Sequence, residues 1–149
     1  MLFEKYEQFK EPTITHRRFK HKDIQPLINR LKSNPDFKVK KLGESVEGRA
    51  IHLISIGNGR TDVLLWSQMH GDEPTATMAL MDIFNIFSTE NEFENLKRLL
   101  KKELTIHFIP MLNPDGAERY QRRNALGVDL NRDVSCAFAK SRIANPKNG

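Results

Sequence analysis

The chain has 149 residues and a formal net charge of +5, and 38% of its residues are hydrophobic. This length suits one domain, and no apolar run approaches the roughly 20 residues of a membrane-spanning helix. The single cysteine, Cys136, excludes an internal disulfide and a multi-cysteine zinc site. The charged N-terminus lacks the apolar core of a secretory signal, so we expect a cytoplasmic protein with no membrane partner.

Most of the excess positive charge lies in residues 1–41, and it is densest at residues 16–22 (His-Arg-Arg-Phe-Lys-His-Lys). A patch of this kind can bind phosphate or an acidic partner. Charge runs are more commonly solvated faces, and we therefore expect no nucleic-acid partner. No motif identifies a role for residues 1–40.

Hydrophobic periodicity and turn residues predict the order of helices and strands. Asp23 is a candidate N-cap for a first helix, which ends at residues 33–36. The other predicted elements are strands at residues 37–42, 50–56, 63–66 and 104–109 and helices at residues 74–87 and 92–102. The apolar run at 63–66 is typical of a strand buried on both faces. This order predicts an α/β fold in which helices flank a mixed β-sheet.

His70 and Glu73 follow directly after the predicted strand at residues 63–66. Imidazole nitrogen and carboxylate oxygen are both ligands that zinc accepts. At the C-terminal end of a strand, a spacing of three residues lets the two side chains approach one ion, and α/β sheets bind ligands at that edge. An isolated His-x-x-Glu also arises in ordinary surface turns, so the pair needs support from other residues.

A second cluster of polar residues follows the predicted strand at 104–109. Residues 113–116 (Asn-Pro-Asp-Gly) are all turn formers and predict a turn. Arg122 and Arg123 come next, and residues 127–132 (Gly-Val-Asp-Leu-Asn-Arg) follow them. Arginine binds carboxylates in a bidentate manner and can stabilise the oxyanion of acyl transfer. The residues alone leave open the plainer alternative that these arginines are simply solvated.

The order of these motifs resembles the zinc carboxypeptidases of the M14 (carboxypeptidase A-like) family. The resemblance is carried by His70-x-x-Glu73, by residues 113–116 and by residues 127–132, and residues 43–51 look like the family's strand-turn-strand entry. It covers about residues 41–133. We therefore expect residues 1–149 to be a single domain that resembles the N-terminal half of a zinc-carboxypeptidase-like (phosphorylase/hydrolase-like) fold, and hence an incomplete one.

The resemblance implies a role for each candidate residue. His70 and Glu73 would be two ligands of a Zn²⁺ cofactor, and Asp129 would accept a hydrogen bond from the other nitrogen of His70. The remaining implied roles are binding of the substrate's terminal carboxylate by Asn131 and Arg132 and polarisation of the scissile carbonyl by Arg122, with Arg123 as the alternative.

The mechanism of that family also needs a third zinc ligand, a histidine further along the chain, and a glutamate general base. After Arg132 the sequence contains no His, no Glu and no acidic residue other than Asp133. His52 and His107 lie within predicted strands, where we expect structural histidines with satisfied hydrogen bonds. We therefore expect the third ligand and the general base to be absent from this chain.

Residues 134–149 no longer resemble the family, and they include Cys136. Read one base later with allowed codons, residues 137–149 can spell a Pro-Glu-Ser helix start similar to the one that family members have there. We expect an aberrant tail produced by a frameshift. We also expect the resulting truncation to leave a sheet edge uncovered and prone to self-association.

The resemblance implies a metallocarboxypeptidase, a hydrolase whose partner is a peptide or acyl-amino-acid substrate with a free carboxylate. An aspartoacylase-type zinc deacylase and a peptidoglycan-peptide amidase are alternatives that use the same chemistry. A third alternative is a non-catalytic fragment that binds a metal or a carboxylate weakly, and we favour it for the 149 residues as written.

Overall fold

A computed structural model of the chain describes residues 2–132. A 3-10 helix at Leu2–Gln8 comes first. The helices and strands that follow in this part of the chain are α1 (His21–Lys32), β1 (Phe37–Glu44), β2 (Ala50–Gly57), β3 (Thr61–Trp66), α2 (Thr75–Ser88), α3 (Glu94–Glu103), β4 (Leu104–Ile109) and α4 (Pro114–Arg119). Of the helices in residues 2–132, none combines the length and the apolar character that crossing a bilayer requires. The predicted aberrant tail at residues 134–149 lies outside the described residues.

The strands form one mixed sheet in the order β1-β2-β4-β3. β1 pairs antiparallel with β2, β2 pairs antiparallel with β4, and β3 runs parallel to β4. A parallel pair requires a crossover connection, which α2 and α3 provide here. The predicted α/β fold with a mixed sheet is confirmed, and the C-terminal ends of β3 and β4 meet at one edge of the sheet.

The hydrophobic core joins the sheet to helices α1 and α2. Ile54 and Ile56 of β2 are completely buried in it. The Phe84 ring of α2 packs edge-on against Phe37 and Phe108, with ring centroids 5.9 Å and 5.1 Å apart. Such ring pairs add roughly 0.5–1.5 kcal/mol each beyond the burial of their area. The four apolar residues predicted for the first helix are all buried: Ile24, Leu27, Ile28 and Leu31.

The expectation that the third strand is buried on both faces is wrong. β3 lies at the end of the described sheet, and Leu64 and Trp66 are about half exposed, at 51% and 49%. A continuous apolar run indicates that both faces of a strand can be buried, but it does not show whether another element packs against each face. Within residues 2–132 only one face of β3 packs against the core.

The first helix begins earlier than predicted, and Asp23 is not its N-cap. The helix starts at His21, and the Asp23 carboxylate accepts a hydrogen bond from the Lys20 N–H over 2.7 Å. An acidic residue in the first helical turn can reach back to the chain before the helix, as in a capping box. An aspartate suits both the N-cap position and the first helical turn, so its residue type alone does not say where the helix begins.

Residues before α1, for which the sequence identified no role, pack against α1 and α2. Phe9, Ile14 and Phe19 are buried. The buried Asp82 carboxylate of α2 accepts hydrogen bonds from the Tyr6 hydroxyl over 2.6 Å and from the Glu11 N–H over 2.7 Å. These contacts make the N-terminal segment part of the same domain.

The two strand histidines differ in how well their ring nitrogens are satisfied. In β4, His107 lies 2.7 Å from the Ser55 hydroxyl and 3.2 Å from the Asp62 carboxylate, as expected of a structural histidine. In β2, His52 is buried, and its Nδ1 has no hydrogen-bond partner among the described residues. Burial lowers the pKa of His52, and the neighbouring charge of Lys32 lowers it further.

We predict that His52 makes the fold acid-sensitive. Because the folded-state pKa lies below the ordinary value of 6.5, the unfolded chain takes up a proton at a higher pH than the folded chain does. The contribution of His52 is therefore complete above about pH 6.5 and is lost as the pH falls towards the folded-state pKa. Urea unfolding should show a smaller loss of stability between pH 7.5 and 5.5 for His52→Leu than for the wild type.

The control for this prediction is His16→Gln, which removes an exposed histidine. Its pH dependence should match that of the wild type. Equal pH dependence in all three proteins would contradict the role given to His52.

Candidate active site

Two loops at the C-terminal edge of the sheet carry the first candidate residues. The loop after β3 contains His70 and Glu73, and the loop after β4 leads into α4. A backbone hydrogen bond from Asn113 N–H to the Gln68 carbonyl, 2.9 Å long, joins the two loops. Gln68 has a left-handed φ of 46°, and its side chain donates to the Gly71 carbonyl over 2.9 Å. This local turn sets the direction of the chain through His70.

Residues 113–116 start helix α4 and do not form the separate turn that was predicted. The Asn113 side chain caps the helix, because its Oδ1 accepts from Gly116 N–H over 2.9 Å. Its Nδ2 donates to the Met69 carbonyl over 3.2 Å. Asn followed by Pro suits the first positions of a helix as well as it suits a turn, so the composition alone does not separate the two. The cap ties α4 to the residue before His70.

Gly71 packs directly against the backbone of α4. A Cβ atom at this position would overlap the backbone atoms of Gly116 and Ala117. Glycine is the residue that permits such a close approach of two chains. The contact fixes the loop on the C-terminal side of His70, as Asn113 does on the other side.

The buried Asp115 anchors α4 to the turn between β1 and β2. Its carboxylate accepts from the Ser45 hydroxyl over 2.7 Å, from Arg49 Nη1 over 2.6 Å and from Glu47 N–H over 3.2 Å. Burial alone raises the pKa of Asp115, but the hydrogen bonds from Ser45 and Arg49 outweigh it and hold the pKa below its ordinary value. The sequence analysis assigned no role to Asp115 or Arg49. No sequence signal joins the two, because they meet only where α4 packs against the turn between β1 and β2.

His70 stands between two carboxylates. Its Nδ1 is 3.1 Å from Glu73 Oε1, and its Nε2 is 3.0 Å from Asp129 Oδ1. Arg122 completes the group: its Nε donates to Asp129 Oδ2 over 2.9 Å, and its Nη1 lies 3.7 Å from Glu73 Oε1. The structure therefore brings together four of the residues singled out in the sequence.

The hydrogen bonds around Asp129 suit a His70 tautomer that carries its proton on Nε2. Burial raises the pKa of Asp129, but bonds from Arg122, His70 and the Asn131 N–H lower it to about 2. Asp129 also accepts from Arg122 Nε and from the Asn131 N–H, and a neutral imidazole that donates from Nε2 to Asp129 leaves its Nδ1 free to accept. Nδ1 then directs a lone pair at Glu73, and two acceptors 3.1 Å apart need a shared proton or a cation.

Arg123, Asn131 and Arg132 lie outside this four-residue group. The Arg123 guanidinium donates to the Gly127 carbonyl over 2.8 Å. Asn131 and Arg132 are exposed in the helical residues 130–132; the Asn131 N–H donates to Asp129 Oδ1 over 3.1 Å, and the Arg132 N–H donates to the Asp129 carbonyl over 3.0 Å. The structure thus places Asn131 and Arg132 beside the group, and it turns Arg123 away from it.

The Asn124 side chain shapes the loop that returns Asp129 to His70. Its Oδ1 accepts from Leu126 N–H over 3.0 Å and from Val128 N–H over 2.9 Å. This is the Asx type of local bond that short polar side chains make in turns. The sequence analysis gave Asn124 no such role, although an asparagine shortly before a glycine is a turn signal.

The sequence of this chain is similar to those of known proteins. The sequence profile of the zinc carboxypeptidase family, peptidase M14, matches residues 24–147. The chain belongs to this family. An uncharacterized protein of Zymomonas mobilis is 31% identical over 108 residues, which cover 72% of this chain and 28% of that protein. Carboxypeptidase E of Caenorhabditis elegans is 32% identical over 132 residues, with the same two coverages.

Solved structures share the carboxypeptidase fold. A metallo-carboxypeptidase from Burkholderia cenocepacia aligns with a TM-score of 0.71 and 24% identity, covering 77% of this chain and 32% of that chain. The present chain thus spans about a third of that structure and less than a third of the two sequence relatives. The family match confirms the resemblance seen in the sequence.

We predict that Gly71→Ala destabilises the fold because the new Cβ meets backbone atoms that cannot rotate away. The free energy of unfolding should fall by about 2 kcal/mol or more in urea titrations. Gly43→Ala is the matched control, since a Cβ there meets nothing within 4 Å, and its effect should stay within about 0.5 kcal/mol. Similar effects of the two substitutions would contradict the role given to Gly71.

Proposed function

We propose that this chain is part of a zinc-dependent metallocarboxypeptidase that hydrolyses a peptide or amide bond next to a free C-terminal carboxylate. The observation that carries the proposal is the 3.1 Å contact between His70 Nδ1 and Glu73 Oε1, with Asp129, whose pKa is lowered to about 2, on the other side of the imidazole. Membership of the zinc carboxypeptidase family supports it.

The donor set suits a zinc ion. His70 Nδ1 and a Glu73 oxygen would hold it, because both are usual zinc ligands and a cation resolves the repulsion between them. Asp129 holds the ring with Nδ1 free, which is the role of carboxylates behind metal-bound histidines. When bound, zinc polarises a carbonyl oxygen and lowers the pKa of water.

Arg122 is the residue that we assign to the scissile carbonyl. Its guanidinium is half exposed beside Glu73, so it can donate to an oxygen that gains negative charge. Arg123, the alternative from the sequence, is directed to the Gly127 carbonyl, which favours Arg122. Asn131 and Arg132, exposed in the helical residues 130–132, would bind the terminal carboxylate and thereby orient the substrate.

The 149 residues as written supply two of the ligands in this proposal. Within residues 2–132, no group of three or more His, Cys, Asp and Glu side chains is arranged to hold a metal. The sequence after Arg132 adds no His and no Glu. We therefore propose that this chain alone binds zinc weakly and does not turn over substrate.

We predict that zinc affinity, measured by titration calorimetry on the full chain, depends on His70, Glu73 and Asp129. Glu73→Gln should weaken binding at least tenfold because it removes a ligand charge. Asp129→Asn should weaken it by roughly 10–100-fold because the ring loses its orienting acceptor. Glu90→Gln, an exposed site remote from these residues in sequence, is the matched control and should leave the affinity unchanged.

Two results would contradict these assignments. Equal zinc affinity in the wild type and Glu73→Gln would remove Glu73 from the ligand set. Sustained hydrolysis of a blocked dipeptide by the chain alone would show that the third ligand and the base are present after all.

We also propose that the chain self-associates through β3. This strand pairs with β4 on one side, and Leu64 and Trp66 expose apolar surface beside its other edge. An apolar edge strand is a template for pairing with a second copy.

We predict that sedimentation velocity will show concentration-dependent association of the wild type. Leu64→Lys should shift the chain towards monomer because a charge on an edge strand opposes pairing. Leu99→Lys makes the same change at a similarly exposed leucine of α3 (55% against 51%) and should leave the association intact. A wild type that stays monomeric at all concentrations would refute the proposal.

A further inference from the structure

The basic run at residues 16–22 is held next to the candidate active site. Ile14 and Phe19 are buried, and they fix both ends of a short segment in which Arg17 and Arg18 are exposed. The family profile matches residues 24–147, a range that does not include these two arginines. Their position in the fold has to be explained from their own contacts.

Arg17 and Arg18 contact residues that adjoin the two loops carrying the active-site residues. Arg17 Nη2 lies 3.5 Å from the hydroxyl of Thr75, the first residue of α2 and two positions after Glu73. The Arg18 guanidinium stacks over the Tyr120 ring, 4.8 Å from its centroid, two positions before Arg122. The arginine pair therefore spans the gap between the start of α2 and the end of α4.

The charges of this pair are not neutralised by carboxylates in the described structure. No ion pair involves Arg17 or Arg18 among residues 2–132, whereas Lys20 in the same run is paired with Glu118 over 3.2 Å. Arg123, nearby in sequence, bonds to a carbonyl and likewise has no carboxylate partner in this range.

An open groove of about 520 Å³ lies at the end of α4 and along the loop that follows it. Arg119, Arg122 and Arg123 are among its lining residues. Carboxylates already compensate two of them, Arg119 through Glu47 and Arg122 through Asp129. Among the described residues, the arginines near this end of the molecule that lack a carboxylate partner are Arg17, Arg18, Arg123 and Arg132.

We propose that Arg17 and Arg18 form a recognition site for an acidic side chain of the substrate. The preferred substrate is then a peptide with Asp or Glu a few residues before its free C-terminus. This rests on the proposed carboxypeptidase function, which places the peptide's terminal residue at Asn131 and Arg132. Guanidinium groups bind carboxylates in a bidentate manner, and the ring under Arg18 with the two buried anchors limits the entropy lost on binding.

The geometry favours a peptide over a nucleic acid. A nucleic-acid surface needs a stripe of cations along several phosphates, and here the run is interrupted by the buried Phe19 and the paired Lys20. Two adjacent arginines beside a site for peptide ends match one or two carboxylates.

The test measures binding of fluorescent acetylated hexapeptides to the full chain by anisotropy, with 50 mM and 500 mM salt. One peptide carries Glu-Glu before the last two residues, a second carries Gln-Gln there, and a third is the Glu-Glu peptide with a C-terminal amide. Wild type should bind the Glu-Glu peptide roughly three- to tenfold more tightly than the Gln-Gln peptide at low salt, and high salt should reduce the difference.

The variants are Arg17→Gln/Arg18→Gln and the matched control Lys38→Gln/Lys40→Gln, which removes two exposed charges from β1. The first should abolish the preference for Glu-Glu and leave the Gln-Gln affinity unchanged, and the control should keep the preference. Arg17→Gln alone should halve the preference or more, and it leaves the Arg18–Tyr120 contact in place should the double variant fold poorly.

The outcomes separate this inference from the proposed function. A Glu-Glu preference that survives in Arg17→Gln and in the double variant overturns the role of the arginine pair. An equal loss in the Lys38→Gln/Lys40→Gln control also overturns it, because net charge would then explain the effect. Equal binding of the amidated and free peptides instead contradicts the terminal-carboxylate site of the proposed function, whatever the Glu-Glu preference.

Discussion

The candidate site depends on a backbone contact between two loops, in which Gly71 touches Gly116 at the shared edge of β3 and β4. The parallel pairing of these strands brings the loops to one place, and the absence of side chains at the contact lets them pack closely. Asn113 caps α4 and donates to Met69, so the same helix start holds the chain before His70. A metal ligand on a loop needs this kind of rigid support, because small errors in ligand position are costly.

Charge compensation explains why the polar residues of this edge occur as a group. The buried Asp115 is tolerable because Ser45, Arg49 and a backbone N–H satisfy it, and it thereby locks α4 onto the first hairpin. At the site itself the compensation is incomplete. Asp129 accepts from Arg122 and contacts His70 Nε2, whereas His70 Nδ1 faces a second carboxylate, that of Glu73, at 3.1 Å. A His–Glu pair of zinc-type donors that is only partly compensated, by Arg122 at 3.7 Å from Glu73, is consistent with a place for a cation.

The sequence predicts those parts of the fold that local periodicity determines. The strands and the buried face of α1 follow from alternation and helical spacing, and the mixed sheet follows from their order. Periodicity does not say which face of β3 is covered, because that depends on pairing partners distant in the chain. It also cannot separate a turn from the first turn of a helix at residues 113–116, because Asn and Pro serve both.

The residues of the candidate site were predictable from the order of motifs along the chain, whereas the fold was predictable from local periodicity. Local spacing joins His70 to Glu73, but about 50 residues separate this pair from Arg122 and Asp129, and the resemblance to the family identified the two pairs together. Asp115 and Arg49 went unassigned because their role is visible only as a contact between β1–β2 and α4.

The basic run at residues 16–22 shows the same limit. Reading it as a solvated face suits Arg17 and Arg18 as far as exposure goes, but only the buried Ile14 and Phe19 reveal where that face points. The net charge of a segment can be counted from its residues. Which partner that charge meets depends on where the hydrophobic residues on either side of the segment are buried in the fold.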